Sequence, residues 1–123
     1  MTLNIKPEST TYTIDATDRT IGRVASEAAH ALLGKRSVHF SKNQALPVHV
    51  VIQNASKLHL PARRIKGKVY FRYTGYPGGQ RKMRMDEMIE KKGIAEVVRK
   101  TVDGMIPRNK LRMPRMKNLV VNA

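Results

Sequence analysis

The residues best suited to binding chemistry lie between Lys68 and Arg84. Four of the six Phe and Tyr residues fall in this segment, and they lead into the string TGYPGG at 74–79 and then into a cluster of Arg and Lys. Aromatic rings stack on bases, while guanidinium and ammonium groups bind phosphate oxygens. Gly78 and Gly79 lack Cβ atoms, so their amides either approach a phosphate or simply close a turn. The segment predicts a surface for a polyanion, with nucleic acid as the leading candidate.

The charge of the whole chain supports this interpretation. Its 24 Lys and Arg residues outnumber 9 Asp and Glu residues, which leaves a net charge of +15. Such a charge attracts phosphate backbones and makes association sensitive to salt. No acidic residue occurs between Glu27 and Asp86, and none follows Asp103. Because a merely solvated surface usually mixes both signs, these two zones predict binding surfaces.

Patterns typical of an enzyme are missing from the sequence. Gly22 lies near a predicted helix start, but no GxGxxG or GxxxxGK[S/T] string accompanies it, so we interpret it as a packing glycine. No GxSxG string places a serine nucleophile. Helix capping explains the close pair Asp15 and Asp18. We therefore expect no catalytic residue, no cofactor and no small-molecule substrate.

A metal site is not expected either. His30, His39, His49 and His59 recur at nearly regular intervals, but they share no ligand spacing such as HxxxH. The chain contains no cysteine, which excludes a disulfide framework, a thiolate zinc site and a catalytic thiol.

The length of 123 residues fits one domain, which we place at 1–123 with a basic loop region at 57–84 and an irregular basic tail at 104–123. No apolar run approaches the roughly 20 residues that a membrane-spanning helix needs. The first ten residues lack the pattern of a secretory signal. We expect no membrane partner and a cytoplasmic location.

Hydrophobic periodicity predicts alternating strands and helices. The predicted strands are Thr11–Ala16, a possible short one at Ser37–Phe40, a buried one at Val48–Ile52, and Lys68–Thr74; the predicted helices are Thr20–Leu33, ending at Gly34, then Met85–Lys91 and Ile94–Val102, separated by Gly93. Pro107 and Pro114 are expected to leave the tail irregular. The order favours an α/β fold, a single three-layer α/β/α domain around a small, mostly parallel sheet of about four strands.

The predicted strand Lys68–Thr74 has two different faces. Val69, Phe71 and Tyr73 alternate with Tyr70, Arg72 and Thr74. Because half of a strand usually faces inward, we expect Tyr70, Phe71 and Tyr73 to contribute to the core. Tyr76, between Gly75 and Pro77, either stacks on a base or packs the loop down.

Several strings of the chain resemble the large-subunit ribosomal protein L13 family. The similarity covers nearly the whole chain in order, and two blocks are the most specific, TGYPGG at 74–79 and GMIP at 104–107. It also includes IGRVA at 21–25, LGK at 33–35 and KVYFR at 68–72. The resemblance implies a structural component of the large ribosomal subunit, with a three-layer α/β fold, that binds large-subunit ribosomal RNA and acts early in assembly. It also implies neighbouring large-subunit ribosomal proteins as partners.

The chain departs from the family pattern at three places. Gln44-Ala45-Leu46-Pro47 stands where an Asp and a Gly-Asp pair are usual, and Leu111-Arg112-Met113 stands where Leu-Gly-Arg is common. The His- and Gln-containing C-terminal extension of bacterial members is not found after Ala123, so its contacts are expected to be absent or replaced. A nucleotide-dependent enzyme on the same scaffold and a DNA-binding protein remain as alternatives.

The charge zones and the resemblance together define a set of predicted RNA-binding residues. Because A-form RNA hides its major-groove edges, we expect these residues to recognise shape and unpaired elements. The set consists of Arg23, Lys35, Arg36, Arg63, Arg64, Lys66, Lys68, Arg72, Tyr76, Gly78, Gly79, Arg81, Lys82, Arg84, Arg108, Asn109, Lys110, Arg112, Arg115 and Lys117.

Overall fold

Strands and α-helices alternate from residue 10 to residue 73, as the periodicity predicts, but two strands and then three helices follow one another later in the chain. The computed structural model describes residues 9–38 and 40–123. The strands are β1 (Thr10–Asp15), β2 (Val48–Gln53), β3 (Val69–Tyr73), β4 (Gln80–Arg84) and β5 (Leu119–Val121); the α-helices are α1 (Ile21–Leu32), α2 (Ala62–Gly67), α3 (Met85–Lys92), α4 (Ile94–Met105) and α5 (Arg112–Met116).

The central sheet is parallel, which confirms the predicted sheet type. Its strand order is β1-β2-β5, with Thr10 opposite Val48 and Val50 opposite Leu119. Along β2, Val50 is buried while His49 is exposed. The predicted buried strand is therefore present, but only its alternate side chains face the core.

Helices α1 and α4 cover the inward face of this sheet. Val24 and Ala28 of α1 and Val98 and Val102 of α4 are fully buried, as their helical spacing requires. The opposite face is exposed at Thr11, Thr13, Asp15, His49 and Gln53. In the described residues the sheet therefore carries helices on one face, and the second helical layer of the expected three-layer arrangement is not formed there.

Two glycines end helices where the sequence predicts. Gly34 follows α1 with φ +82°, and an added Cβ there would lie 2.6 Å from Leu46 Cδ1. Gly93 separates α3 from α4 with φ +89°. Both positions need backbone angles that glycine adopts at little cost.

Strands β3 and β4 form an antiparallel hairpin outside the parallel sheet. Val69 lies opposite Arg84, and Tyr73 lies opposite Gln80. The predicted fourth strand of the parallel sheet is thus one arm of a separate two-stranded sheet. The TGYPGG string at 74–79 turns the chain between the two arms.

The structure contradicts the prediction of an irregular tail. Residues 112–116 form α5, and Leu119 of β5 is buried beside β2. Helix α2 at 62–67 was also missed, and it has no buried residue that would produce an amphipathic pattern. No strand forms at Ser37, Val38 or Phe40, and His39 of that predicted strand lies outside the described residues.

Candidate nucleic-acid interface

The β3–β4 hairpin turns one aromatic-rich face outward. Phe71 and Tyr73 are 62% and 64% exposed. Tyr70, which precedes Phe71 in the same strand, is partly buried and packs against the core. The prediction of core positions is therefore wrong for Phe71 and Tyr73. The reason is that the inward face of this strand is occupied by Tyr70, since alternate side chains point to opposite faces.

Cations lie against the rings on both faces of the hairpin. Lys82, directly opposite Phe71, places its Nζ 5.8 Å from the centre of that ring. On the other face, Lys68 and Lys100 place their Nζ atoms 5.6 Å and 5.5 Å from the centre of the Tyr70 ring. Burial raises the pKa of the Tyr70 phenol, with the nearby charge of Arg64 opposing that shift. Tyr70 is therefore a neutral platform for positive groups.

Arg72 and Arg81 face each other directly across the hairpin. They are a cross-strand pair, and neither forms a salt bridge with a carboxylate in the described part of the chain. Both line a cleft of about 270 Å³ that also includes Lys92 and Lys100. Two like charges directly opposite in an antiparallel pair repel each other. The cleft therefore concentrates positive charge, and within the described residues no salt bridge balances its two arginines.

A second cleft, of about 290 Å³, lies between α1, α2, β3 and α4. Arg64, Lys68 and Lys100 contribute its positive charge, and Gly22 lies in its wall. An added Cβ at Gly22 would meet nothing within 4 Å, so the interpretation of Gly22 as a packing glycine is wrong. Arg63 and Lys66 are exposed on α2 close by in the sequence, and α2 packs against α3 and β4.

Lys92 and Lys100 were missed by the sequence analysis. Both follow Asp86 in a part of the chain where acids and bases alternate, so the acid-free zones do not include them. Lys100 lies two positions after the buried Val98 of α4, and only the packing of α4 against the hairpin brings it to both clefts. No signal in the local sequence would have identified them.

The residues of the turn at 74–79 differ in whether they are free to contact a ligand. The amide of Gly79 donates to the carbonyl of Tyr76 at 2.9 Å, and the amide of Thr74 donates to the carbonyl of Gly79 at 3.2 Å. The amide of Gly79 therefore closes the turn, so of the two alternatives given by the sequence the structure favours turn closure over an approach to phosphate. Gly78 is exposed with φ +75°, and Tyr76 is 75% exposed, so Tyr76 does not pack the loop down.

Three of the predicted arginines are engaged by acids of the same chain. Arg36 lies 3.2 Å from Glu27 and its guanidinium carbon lies 5.1 Å from the centre of the Tyr12 ring. Arg84 lies 3.7 Å from Asp86 and 3.6 Å from Glu87, and Arg112 lies 3.3 Å from Asp103. Their charge is therefore partly balanced before any ligand binds.

Arg115 does not fit the predicted set. It is only 3% exposed, and its guanidinium donates to the carbonyl of Gln44 at 3.4 Å. Its buried Nε finds no acceptor within the described chain. Arg115 therefore fastens α5 to the loop before β2, and only a small part of its side chain is open to a ligand. Its predicted contact with RNA stays a prediction.

The remaining predicted residues line neither of the two clefts at the hairpin. Lys35 and Asn109 line a cleft of about 300 Å³ with Lys42 and Phe40, and this cleft shares no lining residue with the two at the hairpin. The side-chain oxygen of Asn109 accepts from the amide of Leu111 at 3.0 Å. The other four are exposed: Arg23, Arg108, Lys110 and Lys117.

Other kinds of site receive little support. Within residues 9–38 and 40–123, no three His, Asp or Glu side chains come together in a way that could hold a metal ion. The same residues include no helix long and apolar enough to cross a membrane.

Comparison with known proteins identifies one family. Residues 9–123 match the ribosomal protein L13 family. The chain is 37% identical to the large ribosomal subunit protein uL13 of Hahella chejuensis, in an alignment covering 99% of this chain and 87% of that protein. It is 38% identical to uL13 of Geobacter sulfurreducens, with 91% and 78% covered, and 38% identical to uL13 of Mycoplasmopsis synoviae, with 91% and 77% covered.

Proposed function

Because the chain belongs to the ribosomal protein L13 family, it is a structural component of the large ribosomal subunit and not an enzyme, and we propose that it works there by binding large-subunit ribosomal RNA. Its location is accordingly the cytoplasmic ribosome. The hairpin with its two clefts serves as the main RNA surface, and the cleft beside Lys35 serves as a second one.

The uncompensated pair Arg72 and Arg81 carries this proposal. Two arginines opposite each other cost stability, and within the described residues neither forms an ion pair that would relieve the repulsion. A phosphate bound between the two arginines replaces their repulsion with attraction, because each guanidinium donates a pair of hydrogen bonds to phosphate oxygens. Lys92 and Lys100 in the same cleft extend the attraction to adjacent phosphates.

The proposed mechanism is fixation of RNA geometry. The parallel sheet packs against α1 and α4, and the hairpin and the tail present cations from different parts of this packed domain. Contacts to phosphates position the RNA, while shape and unpaired elements provide selectivity. Because such contacts need only the folded domain and RNA, we propose that the protein joins the subunit early in its assembly.

A different face suits neighbouring ribosomal proteins. Parallel sheets normally have both faces covered, yet the outward face here is exposed at Thr11, Thr13, His49 and Gln53. The strands of the sheet contain no Lys or Arg, and the charged residue that they place on that face is Asp15, with Lys57 of the turn after β2 near it. We propose that this face contacts a neighbouring basic ribosomal protein rather than RNA.

The RNA proposal is tested with the double variant Arg72→Gln/Arg81→Gln. We expect weaker binding to protein-free large-subunit ribosomal RNA, with the slope of log affinity against log salt reduced by about 1.5 units for two lost phosphates. Lys91→Gln is the matched control, since Lys91 is exposed on α3 and lines neither cleft. An unchanged slope in the double variant would show that the pair does not bind phosphate, and tighter binding to duplex DNA would favour the DNA-binding alternative.

The contact with a neighbouring protein is tested by cross-linking. The chain has no cysteine, so His49→Cys introduces a unique attachment point for a photoreactive group. Within assembled large subunits, we expect this group to capture protein. Capture of ribosomal RNA alone would contradict the assignment of this face.

A further inference from the structure

We infer that Phe71 and Tyr73 form a platform on which unpaired bases of RNA stack. This inference rests on the proposed function, because it specifies which part of an RNA the hairpin holds. The surface concerned, here termed the aromatic face, consists of Phe71, Tyr73, Gln80 and Lys82. Its members are cross-strand partners, Phe71 with Lys82 and Tyr73 with Gln80.

The exposure of the two rings is the first observation. Phe71 and Tyr73 are 62% and 64% exposed, although Tyr70 in the same strand is partly buried against the core. Hydrophobic rings of this size usually dominate cores and interfaces. Two of them side by side on one face of a hairpin therefore indicate an interface.

The spacing of the rings suits nucleotides. Alternate residues of an antiparallel strand are about 6.8 Å apart, and successive bases of one nucleic-acid strand rise about 3.4 Å each. Phe71 and Tyr73 stand at this alternate spacing, which equals two base rises, so two consecutive bases reach both rings only when they are unstacked from each other, as in an unpaired segment. Open sheet surfaces with aromatic residues bind single-stranded RNA in the same manner.

The partners across the hairpin provide the polar contacts. Lys82 lies over Phe71, close enough to neutralise the phosphate of a base stacked there. Gln80 is exposed opposite Tyr73 and offers both a donor and an acceptor to a base edge. The other face of the hairpin carries Arg72 and Arg81, so a strand crossing this hairpin meets positive charge on both sides.

The combination of exposed rings and nearby cations favours single-stranded RNA as the ligand. A duplex keeps the faces of its bases stacked inside the helix, where protein rings cannot reach them. An apolar protein segment would cover the rings but would leave Lys82 and the nearby arginines without counter-charge. An unpaired RNA segment supplies flat base faces and phosphates together.

The test uses the full chain with Phe71→Leu and Tyr73→Leu, singly and combined. The probe is a 12-nucleotide single-stranded RNA containing 2-aminopurine, compared with the same sequence as a blunt duplex. We expect each leucine variant to bind the single strand about tenfold more weakly, within the roughly 5- to 150-fold range for loss of stacking. The salt slope should not change, because leucine removes no charge.

Two control variants separate stacking from charge. Tyr73→Phe keeps the ring, so binding should remain within about twofold of the wild type. Lys82→Gln should lower the salt slope by about 0.7 units, as expected for one phosphate of a single strand. Thermal unfolding should be similar for all variants, since the substituted side chains are exposed.

Each outcome has a defined meaning. Weaker binding with an unchanged slope, together with ultraviolet cross-links from Phe71 or Tyr73 to ribosomal RNA in intact subunits, supports the inference. Leucine variants that bind the single strand like the wild type, stronger binding of the duplex, or cross-links from these rings to a protein would overturn it. If the wild-type protein showed no salt-dependent binding to any RNA, the proposed function itself would be overturned.

Discussion

The Asp15 carboxylate accepts a hydrogen bond of 3.1 Å from the side-chain amide of Asn54, and this bond joins the carboxyl ends of β1 and β2. The same carboxylate oxygen also accepts from the Thr17 amide at 3.0 Å and from the Thr17 hydroxyl at 2.7 Å. These donors, chiefly the backbone and hydroxyl of Thr17, lower the pKa of Asp15 to about 2. Asn54 itself adopts the left-handed conformation, with φ 59°, and asparagine tolerates this better than most residues.

The first prediction concerns this carboxylate and pH. Because its folded-state pKa lies below the value of about 3.9 for an unfolded chain, the stability it contributes is present above pH 4. It is lost as the pH falls from about 4 through about 2. Thermal unfolding of Asp15→Asn should therefore show a lower Tm than the wild type at pH 7, with the difference disappearing near pH 2. A constant difference across this range would contradict the assignment, and Thr17→Val should reduce the pH dependence.

The second prediction concerns Glu27, which holds two arginines. Arg19 lies 2.7 Å and Arg36 lies 3.2 Å from its carboxylate, and the hydrogen bond from Arg19 is the main reason that the pKa of Glu27 is lowered. All three side chains are about one-third exposed, so Glu27→Gln should cost no more than about 1 kcal/mol of unfolding free energy. Urea unfolding at low and high salt checks this, because screening should reduce the loss. A larger loss at high salt would indicate a role other than ion pairing.

The third prediction separates stability from binding at Arg81. Arg81→Thr removes the repulsion with Arg72 and introduces a residue that favours strands. The unfolding free energy should therefore rise by about 0.2–1 kcal/mol, while affinity for ribosomal RNA falls. Urea unfolding and filter binding measure the two quantities on the same preparation. A variant that is both less stable and equally active in RNA binding would show that Arg81 is structural.

The fourth prediction compares two glycines. A Cβ at Gly79 would lie 2.9 Å from the carbonyl oxygen of Tyr76, a backbone atom, and closer still to the hydroxyl of Thr74. Gly79→Ala should therefore distort the turn and cost at least about 1 kcal/mol. Gly22→Ala meets nothing within 4 Å in the first turn of α1 and should stabilise the protein by about 0.5–1 kcal/mol. Thermal unfolding measures the Tm of both variants. Equal changes in Tm would contradict the described geometry of the turn.

Long amphipathic helices were the most predictable part of the fold. Helices α1 and α4 have buried residues at regular helical spacing, and glycine follows α1 and precedes α4. The three-residue strand β5 and the short helix α2 were not predicted, since neither is long enough to show a period. Strand β5 forms because β2 offers a free edge, and that edge is known only after the chain has folded.

The sequence by itself predicted that this protein binds a polyanion and determined where its positive charge lies along the chain, because charge and glycine-rich turns are local properties. Only the tertiary structure decided which charges are free. Arg84 and Arg112 are balanced by acids and Arg115 is buried, whereas Arg72 and Arg81 are left facing each other. The tertiary structure likewise turned Phe71 outward and brought Lys100 from α4 to the hairpin. These outcomes depend on contacts between residues far apart in the chain, which no local pattern encodes.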